Sequence, residues 1–166
     1  MELRLAEMKE IDKIMEIISQ AKKHLKQQGI NQWQNAYPDY DCICQDIENG
    51  RGYFAVDRDN ILGYLCIDYE GEPAYDTIKG EWQTDEKYVV VHRIAFHEDA
   101  RGKGISGEVF RLVEEMSKQR GIYSFRIDTD ENNKKMHHIL NKNGFSYRGI
   151  IYYESCEKMA FDKKIV

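Results

Sequence analysis

The stretch Tyr88-Val-Val-Val-His-Arg-Ile-Ala-Phe96, followed at once by His97-Glu-Asp-Ala-Arg-Gly-Lys-Gly-Ile-Ser-Gly107, decides the fold. Val89, Val90 and Val91 fill the centre of a short apolar run, which predicts a buried strand over 88–96. Beyond Gly107, the residues Val109, Phe110, Leu112, Val113 and Met116 recur at helical spacing and predict a helix from about 104 to 119. A glycine-rich turn therefore leads from a buried strand into a helix. Such a turn presents free backbone N–H groups and the positive end of the helix dipole, and together these hold a phosphate. Gly102 and Gly104 let the backbone approach a ligand where a side chain would block it, while Arg101 and Lys103 add positive charge.

Other phosphate motifs fit less well. A dinucleotide fingerprint needs a different glycine spacing and a helix opening a first βαβ unit. Lys103-Gly104-Ile105-Ser106 lacks the upstream glycine spacing of a Walker A loop. The same glycines would also serve a plain strand–helix connection.

Outward from this stretch, Leu3–Leu5 reads as a first strand. Ile11, Ile14, Met15, Ile17, Ile18, Ala21 and Leu25 place an amphipathic helix over 10–28, ended near Gly29. An irregular segment holding Trp33, Tyr37 and Pro38 leads to a short helix at 40–49, capped by Gly50. Tyr53–Asp57 and Ile61–Tyr69 read as a hairpin turning at Arg58-Asp59-Asn60. Residues 70–87 form a polar connection placed to overhang a site. After the central helix come a strand at Ser124–Asp130, a helix at 133–142, and final strands at about 145–153 and 158–164. The order describes a mixed α/β domain, antiparallel early and with one βαβ unit late.

The bulk properties set limits. A chain of 166 residues fits one domain and buries roughly two-thirds of its unfolded surface. Apolar residues make up 42% and charged residues 32%, with a net charge of −5 and both signs interspersed, which argues against nucleic acid or an anionic membrane as partner. No apolar run approaches the ~20 residues needed to span a bilayer. Met1 to Asp12 is charged and lacks the apolar centre of a signal peptide. The four cysteines show no CxxC spacing, so reduced thiols in a cytoplasmic protein are expected.

Residues 88–153 resemble the core of the GNAT superfamily of acyl-CoA-dependent N-acetyltransferases. The family pattern [QR]-x-x-G-x-[GA] is matched by Arg101-Gly102-Lys103-Gly104-Ile105-Ser106, with Ser106 where glycine or alanine is usual. The strand segment Ile94-Ala95-Phe96 precedes it, and Asn133 and Asn143-Gly144-Phe145 follow in the family's order. The resemblance implies a single GNAT domain over 1–166, with a central mixed, mostly antiparallel sheet of about seven strands and about four helices. It implies acetyl-CoA as cosubstrate, lying in a gap between the family's fourth and fifth strands. Ile94, Ala95 and Phe96 would line its pantetheine arm, Arg101–Ser106 would bind its pyrophosphate, and Asn133 would contact the arm near the thioester. A small-molecule or peptide amine would attack the thioester directly, and relatives often pair as homodimers. A CoA-binding module of the same fold without catalysis is the alternative.

Acetyl transfer requires proton movement. His92, on the predicted strand and two residues before Ile94, is the first candidate for the base, because an imidazole titrates near neutrality. It would equally suit a pairing with a carboxylate. Arg93, facing the other way, reads as structural. The family's tyrosine acid aligns with Leu140, so Tyr152, Tyr153 and His138 are the replacements to consider. Tyr152-Tyr153 also fits a strand alternating between core and surface. His137-His138 face different ways on a helix and lack a third ligand, so no metal is expected. Trp33, Tyr37, Tyr75 and Trp82 lie in the irregular segments, as an aromatic acceptor pocket or as peripheral packing.

Overall fold

The computed structural model describes residues 1–154 and 156–166. Among them are eight strands and four α-helices, with short 3-10 turns between. The elements are β1 (Glu2–Leu5), α1 (Ile11–Gln27), α2 (Tyr40–Glu48), β2 (Gly52–Asp57), β3 (Asn60–Asp68), β4 (Lys79–Gly80), β5 (Tyr88–Phe96), α3 (Ile105–Gln119), β6 (Ser124–Thr129), α4 (Lys134–Lys142), β7 (Ser146–Tyr153) and β8 (Cys156–Lys164). The strand beyond the expected seven is β4, two residues long and set in the 70–87 connection.

The chain divides into two compact units: residues 1–67 with 92–109, and residues 68–91 with 110–166. In the first, the hydrogen-bonded strand order is β1-β2-β3-β5. β1 and β2 pair antiparallel, and so do β2 and β3, whose hairpin closes at Asp57 opposite Asn60. The helical stripe expected in α1 is the core here: Ile11, Ile14, Ile17 and Ile18 pack with Ile43 of α2, Phe54 and Val56 of β2, Tyr64 of β3 and Ala95 of β5. α2 begins where Asp39 accepts the Cys42 N–H at 2.9 Å, satisfying an end donor that the helix itself leaves open.

In the second unit the order is β5-β6-β8-β7-β4. β5 and β6 run parallel, with Val89 opposite Phe125 and Val90 opposite Arg126. The other pairings, β6 with β8, β7 with β8 and β4 with β7, are antiparallel. Phe110, Phe125 and Phe145 meet edge to face with ring centroids 4.9 to 5.8 Å apart and form one core. A second cluster gathers Tyr75, Val90, Ile151 and Ala160, with Trp82, Tyr88 and Tyr153 packed against it.

Candidate active site

In the first unit, β5 is interrupted at Arg93, a non-glycine residue at φ +53. Its guanidinium lies against Asp46 of α2, with Nε 2.8 Å from Oδ2 and Nη2 2.5 Å from Oδ1. Tyr64 donates to the same Asp46 Oδ2 at 2.8 Å, and Arg93 Nη1 donates to the Tyr37 hydroxyl at 2.9 Å. Burial opposes a charge on Arg93 most strongly of any one cause, but the bonds to Asp46 together with the nearby Cys66, Tyr37 and Asp46 charges hold its pKa above the ordinary value. Arg93 is therefore structural, as its opposite facing suggested. Ala95 is buried in the core, while His92, Ile94 and Phe96 are half-buried.

The strand leads through His97 into a single 3-10 turn, Glu98–Ala100, which His97 caps. His97 Nδ1 accepts the Asp99 N–H at 3.2 Å, and Gln20 of α1 accepts the Glu98 N–H at 3.1 Å. These two contacts hold the approach to the glycine-rich turn, and neither His97 nor Gln20 stood out in the sequence.

Gly102 and Gly104 have φ of +74° and +70°, a region that side chains rarely occupy, and nothing lies within 4 Å of where a Cβ would sit. The glycines are thus required by the backbone path, and the turn is open on that side. No carbonyl among the described residues takes the N–H groups of Gly102, Lys103 or Gly104. The first N–H groups of α3, from Ile105 and Ser106, are open by helix geometry. Arg101 Nη2 is buried without a hydrogen-bond partner, and burial pulls that guanidinium below its ordinary pKa. A buried cationic donor with nothing to bond is costly, and an anion at the turn would relieve it. Beside the turn, Lys103 and His97 border a groove of about 700 Å³ together with Asp57, Asn60 and Leu62.

The remaining expected site residues belong to the second unit. Asn133 is buried at the start of α4, where its Oδ1 accepts the Met136 N–H at 3.1 Å. Tyr152 and Tyr153 alternate along β7: Tyr152 is exposed with Lys79 5.6 Å from its ring, while Tyr153 donates to Asp128 Oδ2 at 2.9 Å. Leu140 is fully buried. His137 Nε2 lies 2.9 Å from the Asp130 carbonyl. The irregular-segment aromatics take separate places. Trp33 packs on the first core, while Tyr75 and Trp82 stack 5.0 Å apart in the second unit.

A strand, a glycine-rich turn and a following helix, set in a mixed and mostly antiparallel sheet, define a mixed α/β protein. The chain belongs to the GNAT acetyltransferase family, whose sequence profile, described as "Acetyltransferase (GNAT) family", matches residues 12–145. It is similar to a GNAT family acetyltransferase from Streptococcus agalactiae at 32% identity, over 98% of this chain and 94% of that one, with a TM-score of 0.88. It shares the fold of a GNAT family acetyltransferase from Listeria monocytogenes at 19% identity, covering 98% and 93% of the two chains with a TM-score of 0.75. It shares it too with AAC(6')-Ib, solved with ribostamycin and coenzyme A, at 16% identity, 98% and 92% coverage and a TM-score of 0.71. No curated protein sequence matches the chain. Among the described residues, no helix is long and apolar enough to cross a membrane.

Proposed function

We propose that this acetyltransferase moves the acetyl group of acetyl-CoA to an amine of a small molecule or peptide by direct attack on the thioester. The observation that carries the reading is the Arg101–Ser106 turn, where a buried guanidinium nitrogen and open backbone N–H groups stand at the start of a helix. In this reading those N–H groups and Arg101 hold the cofactor's pyrophosphate, and Lys103 adds charge. Backbone groups of Ile94 and Phe96 take the pantetheine amides, with Ala95 packing that strand to the core. Asn133 donates toward the same arm. Rate acceleration comes chiefly from placing nitrogen and thioester together, and from removing the ammonium proton. His92 is the base that this reading starts from. The protein acts in the cytoplasm, and a homodimer is its expected assembly.

The second reading, a CoA-binding module without turnover, draws on Leu140, an apolar and fully buried residue where the family's tyrosine would stand. Thiol release from acetyl-CoA, measured against polyamines, aminoglycosides, amino acids and peptides, separates the two. Turnover with one amine class supports the transferase. Tight CoA binding with no turnover on any of them supports the module.

A further inference from the structure

His97 stands where β5 gives way to the glycine-rich turn, and its imidazole is part of the scaffold there. Its backbone N–H donates to the Leu62 carbonyl at 2.8 Å, which ties this end of the strand to β3. Its carbonyl accepts the Ala100 N–H at 2.9 Å, and the Glu98 carbonyl accepts the Arg101 N–H at 3.3 Å. The 3-10 turn therefore runs directly into Arg101. The first N–H groups of such a turn have no partner inside it. Gln20 takes that of Glu98, and His97 Nδ1 takes that of Asp99. A ring nitrogen accepts only through a free lone pair, so this cap requires a neutral imidazole with its proton on Nε2.

The protonated ring has partners of its own. Glu16 Oε1 of α1 lies 3.8 Å from Nε2, and Asp99 Oδ2 lies 3.5 Å from Nδ1. Once protonated, Nδ1 is a donor and meets the Asp99 N–H donor to donor, while the two carboxylates attract the imidazolium. The other charged groups around the ring are of both signs: Lys13 of α1 and Lys103 border the same groove, and so do Asp57 and Asp59 at the β2–β3 hairpin. Lys13 is itself paired with Glu16 at 3.2 Å. The His97 side chain is 15% exposed, which leaves it open to a proton from solvent.

We propose that His97 is a positioning residue for the Arg101–Ser106 turn, capping the 3-10 turn when neutral and releasing it when protonated, so that affinity for the cofactor's pyrophosphate falls with pH. The proposal rests on the CoA reading of that turn and concerns its regulation. Its sign follows from the cap. The arrangement that binds the cofactor holds the imidazole neutral. Affinity is therefore full above the range in which an imidazole titrates and is lost as pH falls through it.

Calorimetric titration with dephospho-CoA from pH 5 to pH 8 tests this. That probe keeps the pyrophosphate but lacks the 3′-phosphate, a phosphomonoester that itself titrates at about pH 6. The wild type is expected to bind about 3- to 30-fold more weakly at pH 5 than at pH 8, as loss of a cap implies. His97→Asn places Oδ1 where Nδ1 stands and caps without titrating. It should bind within about threefold of the wild type's pH 8 affinity across the whole range. His97→Ala should bind weakly throughout, and rescue by asparagine separates the cap from ring packing. An affinity of the wild type that is constant with pH, or a dependence that persists in His97→Asn, overturns the proposal while leaving the CoA reading intact. Should dephospho-CoA bind at no pH, that reading fails, and backbone amide NMR still decides on His97. The Gly102, Lys103 and Gly104 amide shifts should follow the imidazole titration in the wild type and stay still in His97→Asn. Shifts that do not follow it, or that move equally in the variant, refute the proposal.

Discussion

Arg93 and Asp46 form a two-pronged ion pair, Nε to Oδ2 at 2.8 Å and Nη2 to Oδ1 at 2.5 Å, with side chains only 13% and 6% exposed. This pair sits where β5 departs from extended geometry, at φ +53 on Arg93. A non-glycine residue there carries about 1–3 kcal/mol of strain and persists only where its surroundings fix it. The pair, with Tyr64 and Tyr37 attached, is what fixes it, one residue before the segment Ile94–Phe96.

Removing one member leaves the other charge buried alone. Arg93→Met is therefore expected to destabilise the protein by about 3–5 kcal/mol, read by urea denaturation. Adding Asp46→Leu to it should recover part of that loss, because the orphaned carboxylate is gone. Additive losses from the two changes would mean that they act independently.

Arg101→Glu tests the phosphate assignment. It removes a charge-assisted donor, worth about 1.5–3 kcal/mol, and adds repulsion, so CoA should bind at least about 10- to 100-fold more weakly. Calorimetric titration of CoA at two salt concentrations reads both the loss and a shallower salt dependence. An unchanged affinity would place the pyrophosphate elsewhere.

How far the sequence reached is clear from these same residues. The helices and most strand limits follow from periodicity and from end signals such as Gly29 and Gly50, all of which act within a few residues. The glycine-rich turn was legible for the same reason, since its φ requirements and charges are written in six consecutive positions. Arg93 with Asp46 and Tyr75 with Asp128 are joined across 47 and 53 residues, and no local pattern encodes such pairs. Tyr153 was singled out as a proton donor, but its hydroxyl donates to Asp128, which no motif marks. β4 escaped notice because two residues have no period.

His92→Ala bears on the base first expected. If His92 removes the ammonium proton, turnover falls and the pH profile flattens near neutrality, where an imidazole titrates. Stopped assays from pH 5 to pH 9 would read this. An unchanged profile removes His92 as base.

Gly149 carries the short β4 pairing. Its φ is +149, and a Cβ there would lie 2.1 Å from the Lys79 carbonyl oxygen, against backbone that cannot swing away. Gly149→Ala should therefore detach Lys79–Gly80 from β7, which amide hydrogen exchange would show as faster exchange in that segment. A loss of about 1–3 kcal/mol is expected from the forced shift. Protection equal to wild type would show that the β7 backbone adjusts.

Asp128 gives a pH dependence with a definite sign. Its folded-state pKa lies above the ordinary carboxylate value, with burial as the first cause, so the folded protein binds that proton more tightly than the unfolded chain. Stability from this group is then highest below the unfolded pKa of about 4 and falls as pH rises through the folded value, after which the effect is constant. Asparagine does not titrate, so Asp128→Asn lacks that decline. Melting temperatures of the variant and the wild type, measured from pH 3.5 to pH 7, should shift in the variant's favour as pH increases. A difference that stays constant would mean Asp128 titrates as an ordinary carboxylate, and one that grows in the wild type's favour would mean its pKa is depressed. Either result would leave the Asp128 carboxyl without the energetic consequence that burial assigns it.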